Sequence, residues 1–273
     1  MSIEGLKFLI TGGGAGIGAA TAKMAASRGA SVLVSDVNDA GGEAIVEEIC
    51  QAGGKAYYQH CDVSDEDQVQ ELMRVAEKSL GGLDVLHNNA GIHETMLGEE
   101  ITLDTMSRST FEKVLAINLV GPWMCSKYAL PMLKNSANAS IINAGSSSSI
   151  TAYQYSIAYG SSKGGIALLT KNLAVDLAPH GIRVNCYCPG TIKTKMVEDF
   201  IASSDDPEAL VSPGTLTHLI PRLGETHEVA ELVCFLGSAQ SSFVNGVVWL
   251  IDGGSLAWRG TIDSLGMTGV LGD

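Results

Sequence analysis

The chain has 273 residues and a formal charge of −13, from 30 acidic and 17 basic side chains. That length suits one large α/β domain and is short for two. The negative balance argues against a sequence-independent grip on nucleic acid or an anionic membrane surface, and no apolar run approaches the roughly 20 residues a bilayer span needs. Met1 to Ile10 passes into a short apolar strand with no basic flank or cleavage-type site, so it reads as the start of the fold of a cytoplasmic protein. Cys186 and Cys188 share a face of a predicted strand but suit neither an easy disulfide nor a four-ligand zinc site, and the cysteines read as reduced, partly buried thiols.

In chain order, Lys7 to Ile10 is a strand, Thr11-Gly-Gly-Gly-Ala-Gly-Ile-Gly18 a glycine turn, and Ala19 to Ser27 an alanine-rich helix. Strand, turn and helix N-terminus together present backbone N–H groups and a helix dipole to a phosphate. Ser31 to Ser35 is the second strand, with Asp36 at its C-terminal end. There the acid either accepts hydrogen bonds from both hydroxyls of an adenosine ribose or caps the helix from Asp39 to Ala52. Lys55 to Cys61 is the third strand, and Ser64-Asp-Glu-Asp67 reads as a capping box for a helix to about Ser79. Leu83 to His87 is the fourth strand, ending in Asn88-Asn89-Ala90-Gly91. Alternating strands and helices predict a single-domain, doubly wound, Rossmann-type parallel sheet of seven strands with helices on both faces. Ligands then lie beyond the C-terminal strand ends, where Gly12, Asp36, Asp62 and Asn89 fall.

A helix from about Ser109 to Leu133 carries Asn118 in its middle and Pro122 soon after, which predicts a kink. Ser140 to Ala144 is the fifth strand, followed by the serines Ser146 to Ser149. Arg183 to Cys188 is the sixth and Val247 to Ile251 the seventh. The proline-bearing stretch 195–224 reads as a lid over the site, and 255–273 as a C-terminal tail. The six histidines (60, 87, 93, 180, 218 and 227) have no metal-ligand spacing and read as surface or outer-shell residues, so no metal is expected.

Between the fifth and sixth strands, Tyr159 to Ala178 has helical apolar spacing at Ile166, Leu169, Leu173 and Leu177. Tyr159 and Lys163 lie four apart on one helix face. A phenol ionises near pH ~10 in water, and a fixed cation beside it pulls that value toward the working range of a general base.

With these motifs in order, the chain resembles the short-chain dehydrogenase/reductase family over Leu6 to Gly254. The match rests on Thr11-Gly12, Gly16 and Gly18, Asp62, Asn88-Asn89-Ala90-Gly91, Asn118, Ser146, Tyr159 with Lys163, and Pro189-Gly190. The resemblance implies an NAD(P)-dependent oxidoreductase with a tetrad of Asn118, Ser146, Tyr159 and Lys163. Ser146 is chosen among the serines because the family places its serine 13 residues before the tyrosine. Tyr159 would exchange the hydroxyl proton, Ser146 would donate to the substrate oxygen, Lys163 would hold the nicotinamide ribose, and Asn118 would hold a water.

The cofactor would run from Gly12, Gly14, Ala15, Gly16, Ile17 and Gly18, past Asp36, Val37, Asp62 and Val63, to Asn89, Ala90 and Gly91. It would end near Pro189, Gly190, Ile192 and Thr194. Asp36, with no Arg or Lys among Val37, Asn38 or residues 13–15, favours NAD over NADP. Ser148, Tyr153, Gln154, Tyr155 and Met196 would line a largely apolar pocket for a cyclic or aryl secondary alcohol or ketone. Lys193, Lys195, His93 and Gln154 speak for a more polar one. A 3-oxoacyl-thioester reductase, a sugar or polyol dehydrogenase, and a non-catalytic dinucleotide sensor or scaffold on the same fold are the competing readings. The family resemblance and the apolar Leu168 and Val175 on the outer helix face imply a homotetramer.

Overall fold

The structure, a computed structural model, describes residues 3–98, 101–202 and 218–258. Its strands are β1 Lys7–Thr11, β2 Ser31–Asp36, β3 Lys55–His60, β4 Val85–Asn88, β5 Ser140–Ala144, β6 Arg183–Pro189 and β7 Val248–Ile251. All seven pair in parallel in the order β3-β2-β1-β4-β5-β6-β7, the doubly wound arrangement. Chain order reverses between β1 and β4, so the crevice of a doubly wound sheet opens beside the turn after β1.

Central strands of such a sheet are buried on both faces, which is why they read as continuous apolar runs. Alternation along them still sorts the two sides. Leu9, Leu33, Leu86, Ile141 and Val184 face one layer, formed mainly by α3 (Glu66–Leu80), α5 (Gly121–Leu133) and α6 (Ile157–Leu177). Phe8, Ile10, Val32, Val34 and Ile142 face the other, formed by α1 (Gly16–Ser27), α2 (Asp39–Gln51) and α8 (Thr226–Gly237). The helices α4 (Arg108–Leu115) and α7 (Lys195–Ala202) are the remaining α-helices among the described residues. No helix among the described residues is long and apolar enough to cross a membrane.

Several local expectations need correction. The helix expected from Ser109 to Leu133 is two helices joined by a π-helical turn, Ala116–Val120, centred on Asn118. Pro122 brings no N–H to the Asn118 carbonyl four residues back, so the ladder shifts there rather than merely bending. The cap of α3 is Asp65, not Ser64. Its carboxylate accepts the N–H groups of Asp67 and Gln68, while Ser64 bonds back to Asp62. Asn38 caps α2, accepting the Gly41 N–H, so Asp36 has no capping role. β4 begins at Val85 rather than Leu83. Of the histidines read as surface or outer-shell residues, His87 and His218 are buried. His87 Nε2 lies 2.9 Å from the Tyr187 hydroxyl, and burial pushes this imidazole down to about 3, so it is neutral. The lid falls partly on 203–217 and most of the tail on 259–273, outside the described residues. Leu168 and Val175 are exposed on the outer face of α6.

Arg183, at the start of β6, ties the sheet to α8. Its buried guanidinium donates to the Leu236 carbonyl at 2.9 Å, the Ser238 carbonyl at 3.3 Å and the Ser241 hydroxyl at 2.8 Å. Carbonyls at a helix C-terminus lack intrahelical donors, and a cation there satisfies them and the dipole together. Arg183→Met keeps the apolar stem but strands these acceptors. It should lower stability by about 2–3 kcal/mol in a urea titration, and a loss under about 0.5 kcal/mol would contradict this account.

Candidate active site

The glycine turn after β1 is shaped by contacts that admit no side chain. A Cβ on Gly18 would lie 2.1 Å from the Gly12 carbonyl oxygen, and one on Gly12, at φ +62°, would lie 2.8 Å from the Ala90 Cα. Ala15 precedes α1 and makes no side-chain cap, and the first turn of the helix holds no acid. An uncapped N-terminus backed by a positive dipole end is a cradle for a phosphate. A groove lined by Gly14, Ala15, Gly16, Lys193 and Thr194 runs over it.

Asp36 closes this groove at the β2 end. One carboxylate oxygen accepts the Gly14 N–H and the other the Asn38 N–H, both at 2.9 Å. A carboxylate offers about four lone-pair sites, so acceptor capacity remains for a ribose. Around it, Tyr58 donates to the Asp36 carbonyl at 2.9 Å and the Asp39 carboxylate at 2.6 Å, and His60 Nδ1 lies 2.8 Å from the same carboxylate. Burial and the nearby acids push the Tyr58 phenol well above its ordinary range. Val37 is exposed beside Asp36, whereas the Val63 side chain is buried in the core. Asp62 holds the turn to α3 through Ser64.

On the other side of the switch point, β4 ends in Asn88, Asn89, Ala90 and Gly91. Asn89 donates its amide to the Thr11 carbonyl at 3.1 Å and the Gly12 carbonyl at 2.9 Å. Thr11 Oγ1 in turn accepts the N–H groups of Asn89 and Ala90, at 3.1 and 3.2 Å. The Asn118 side chain grips the next residue, accepting the Ile92 N–H at 2.9 Å and donating to its carbonyl at 2.8 Å. Its amide also reaches the Ser162 hydroxyl at 3.1 Å.

Ser146, Tyr159 and Lys163 converge at the C-terminal ends of β5 and β6. Ser146 is buried, and its hydroxyl accepts the Ser148 N–H at 3.1 Å, starting a short 3₁₀ turn. The Lys163 ammonium lies 5.5 Å from the centre of the Tyr159 ring and donates to the Ala144 carbonyl at 2.7 Å. Burial pushes Lys163 down to about 8, opposed by the Cys186 and Cys188 thiols. Burial raises the Tyr159 phenol above its ordinary value, while a hydrogen bond with the Ser146 hydroxyl pulls the other way. The phenol is thus pushed up where the sequence suggests a fall, because burial dominates and the neighbouring Cys188 and Glu94 add to it.

Cys186 and Cys188 line the floor, their sulfurs 3.9 Å apart. They explain Gly145, whose Cβ would lie 2.6 Å from one sulfur and 2.7 Å from the other. The two sulfurs take the room that any side chain there would need.

The expected pocket residues scatter more widely. Tyr153 donates to Ser147 Oγ at 2.9 Å and is half exposed, Gln154 is exposed, and Tyr155 is exposed at φ +57°. Ser148 and Met196 are partly buried. Thr194 stands against Gly16. Ile192 is buried, pairs with Gly224 in an isolated bridge and packs into the core. Pro189 ends β6, and Gly190 donates to the Ile251 carbonyl at 3.1 Å.

Sequence reasoning missed Glu94 altogether and gave His93 no place beside Tyr159. Both sit on a 3₁₀ turn after β4, where no periodicity marks them. The signal present in the sequence was the first turn of α6, which carries no acid of its own.

A parallel doubly wound sheet with a glycine turn at its switch point defines a dinucleotide-binding protein. The family model described as enoyl-(acyl carrier protein) reductase matches residues 12–255. Among similar proteins is the 2,5-dichloro-2,5-cyclohexadiene-1,4-diol dehydrogenase of Sphingobium indicum. It is 35% identical, over 93% of this chain and 98% of that one. The L-fucose dehydrogenase of Bos taurus is 35% identical over 90% of this chain and 88% of its own. A dehydrogenase/reductase from Sinorhizobium meliloti 1021 superposes with a TM-score of 0.83 at 35% identity, covering 93% of this chain and 96% of that chain. The protein belongs to the short-chain dehydrogenase/reductase family, whose oxidoreductases use nicotinamide cofactors.

Gly18→Ala should abolish dinucleotide binding while leaving the far half of the sheet folded, because its Cβ collides with backbone rather than with a side chain that can move. Calorimetric titration with NADH checks this, and an affinity within about threefold of the wild type, or about 0.65 kcal/mol, would contradict it.

Proposed function

We propose that the protein is an NAD-dependent dehydrogenase acting on a secondary alcohol or its ketone, with Tyr159 as general acid/base. The observation that carries this reading is the convergence of Ser146 and Tyr159 at the C-terminal ends of β5 and β6, with the Lys163 ammonium 5.5 Å from the centre of the Tyr159 ring. A bound nicotinamide supplies the hydride acceptor or donor. Gly14, Gly16 and the N-terminus of α1 would hold its pyrophosphate, Asp36 the adenosine ribose, and Lys163 with Tyr159 the nicotinamide ribose.

The chain's own residues handle the proton. Tyr159, as phenolate, takes the hydroxyl proton of the alcohol, and as phenol returns it to the ketone oxygen. Ser146 donates to the same oxygen, where charge gathers in the transition state. Lys163, pushed down to about 8 by burial, would hold the nicotinamide ribose and is suited to take up and release a proton beside Tyr159.

NAD is favoured over NADP because a 2′-phosphate would face Asp36 with Asp39 close behind. A cyclic, moderately apolar alcohol is favoured by the exposed Ile150, Tyr153 and Tyr155 before α6 and by the similarity to a cyclohexadiene-diol dehydrogenase. The similarity to an L-fucose dehydrogenase keeps a sugar as the second reading.

Tyr159→Phe should cut turnover by at least about a hundredfold with NADH affinity nearly unchanged. In the wild type, alcohol oxidation needs the phenolate. A phenol raised by burial is ionised only at alkaline pH, so oxidation should climb with pH by up to about tenfold per unit, and ketone reduction should not. Near-normal turnover in Tyr159→Phe contradicts the mechanism.

Steady-state kinetics on cyclohexanol, aryl secondary alcohols, L-fucose and open-chain polyols should show NAD preferred over NADP by about a hundredfold or more in kcat/KM, and the cyclic alcohols over the sugars. Better use of NADP would refute the cofactor assignment, and a tenfold preference for L-fucose, about 1.4 kcal/mol, the substrate class.

A further inference from the structure

Residues Ile92 to Glu94 form a strut between the π-helical turn and the catalytic helix. Asn118 holds Ile92 at one end. At the other, the wholly buried Glu94 carboxylate accepts the Ala158 N–H with one oxygen and the Tyr159 N–H with the other, both at 3.0 Å. Those amides are the second and third of α6, orphan donors that a residue at the N-cap ordinarily satisfies. Ser156 stands at the N-cap and makes no such bond. Its hydroxyl is directed to the Gln154 carbonyl at 3.3 Å and lies 3.1 Å from His93 Nε2.

The Tyr159 backbone is thereby held at both ends. Glu94 takes its N–H, while Ser162 donates to its carbonyl at 2.7 Å and accepts from Asn118 at 3.1 Å. His93 covers the phenol itself, with ring centres 4.8 Å apart. Its Nδ1 accepts the Thr95 N–H at 3.3 Å, which leaves Nε2 to carry the proton toward Ser156. The imidazole is therefore neutral, and its 3.7 Å separation from Glu94 is not an ion pair. A carboxylate buried at this depth is costly unless its bonds repay desolvation, and Ser156 was already placed for an ordinary cap.

We propose that Glu94 is a positioning residue for the Tyr159 acid/base, fixing the phenol by capping the catalytic helix from the turn after β4. This rests on the role given to Tyr159 above. The geometry has an electrostatic consequence. The titratable and charged groups facing Tyr159 are Lys163 on its own helix, Cys188 and Tyr187 from β6, and Glu94 and the neutral His93 from the strut. Of these, Cys188 and the Glu94 carboxylate oppose phenolate formation, so removing the Glu94 charge should ease ionisation while removing its reach should misplace the ring.

Two variants separate these effects. Glu94→Gln keeps the volume but loses the charge and turns an amide N–H2 toward one of the two backbone donors. Glu94→Asp keeps the charge and loses reach. Protein labelled with 13Cζ-tyrosine, with the Tyr159 resonance assigned by its loss in Tyr159→Phe, reports the ionisation without any substrate. In Glu94→Gln the Tyr159 midpoint should fall by about 0.5 or more in pH, and in Glu94→Asp it should stay near that of the wild type.

For NAD-linked oxidation of cyclohexanol, kcat should fall at least about tenfold in both variants, with KM for NAD within about twofold. A Glu94→Gln variant with the wild-type Tyr159 midpoint overturns the proposal, and so does a wild-type kcat in both variants. An active Tyr159→Phe would instead defeat the reading of the site itself, whereas an inactive Tyr159→Phe beside normal Glu94 variants defeats only this inference.

Discussion

The site depends on a bridge between two strands that are neighbours in the sheet and 77 residues apart in the chain. Asn89 donates to the carbonyls of Thr11 and Gly12, and Thr11 accepts from Asn89 and Ala90. Parallel pairing of β1 with β4 sets Thr11 opposite Asn88, so the glycine turn and the Asn88–Gly91 segment leave the sheet side by side. The groove that reads as a nucleotide site begins on one, and the strut to the catalytic helix begins on the other. If the bridge fails, neither half is aligned to the other.

The catalytic half is built from polar groups kept dry and satisfied. Asn118, Ser162 and Glu94 are all buried or nearly so, and each has its partners in neighbouring elements. Such a network fixes one geometry because every alternative strands a donor or acceptor. Pro122 contributes by what it lacks, turning one stretch of helix into a π turn that aims the Asn118 side chain at Ile92. Burial carries an electrostatic penalty for Tyr159 and Lys163, pushing both away from their charged forms. In the proposed mechanism, a phenol held neutral and a lysine pushed down to about 8 suit proton movement better than a stable ion pair.

Much of this was legible in the sequence. Alternating apolar runs and glycine turns gave the parallel sheet, because a strand buried on both faces leaves no ambiguity about its layer. Tyr159 and Lys163 declared themselves by helical spacing, and Asp36 by its place at a strand end. What escaped is mostly three-dimensional. Glu94 acts on amides more than sixty residues away, and nothing local distinguishes it from a surface acid. The π turn could be anticipated as an irregularity from Asn118 and Pro122, but not as a register shift. The cap of α3 slipped by one residue because Asp65 and Ser64 are both good caps, and the choice fell to the bonds Ser64 makes with Asp62. The partner of His87 could not be named because a lone histidine carries no mark of the tyrosine that receives it.

The most direct test of the central claim is a crystal structure of the protein with NADH bound. The account predicts the pyrophosphate on the N–H groups at the start of α1, the adenosine ribose on Asp36, and the nicotinamide ribose within hydrogen-bond reach of Tyr159 and Lys163. A dinucleotide bound elsewhere, or one whose nicotinamide end lies away from Tyr159, would contradict it.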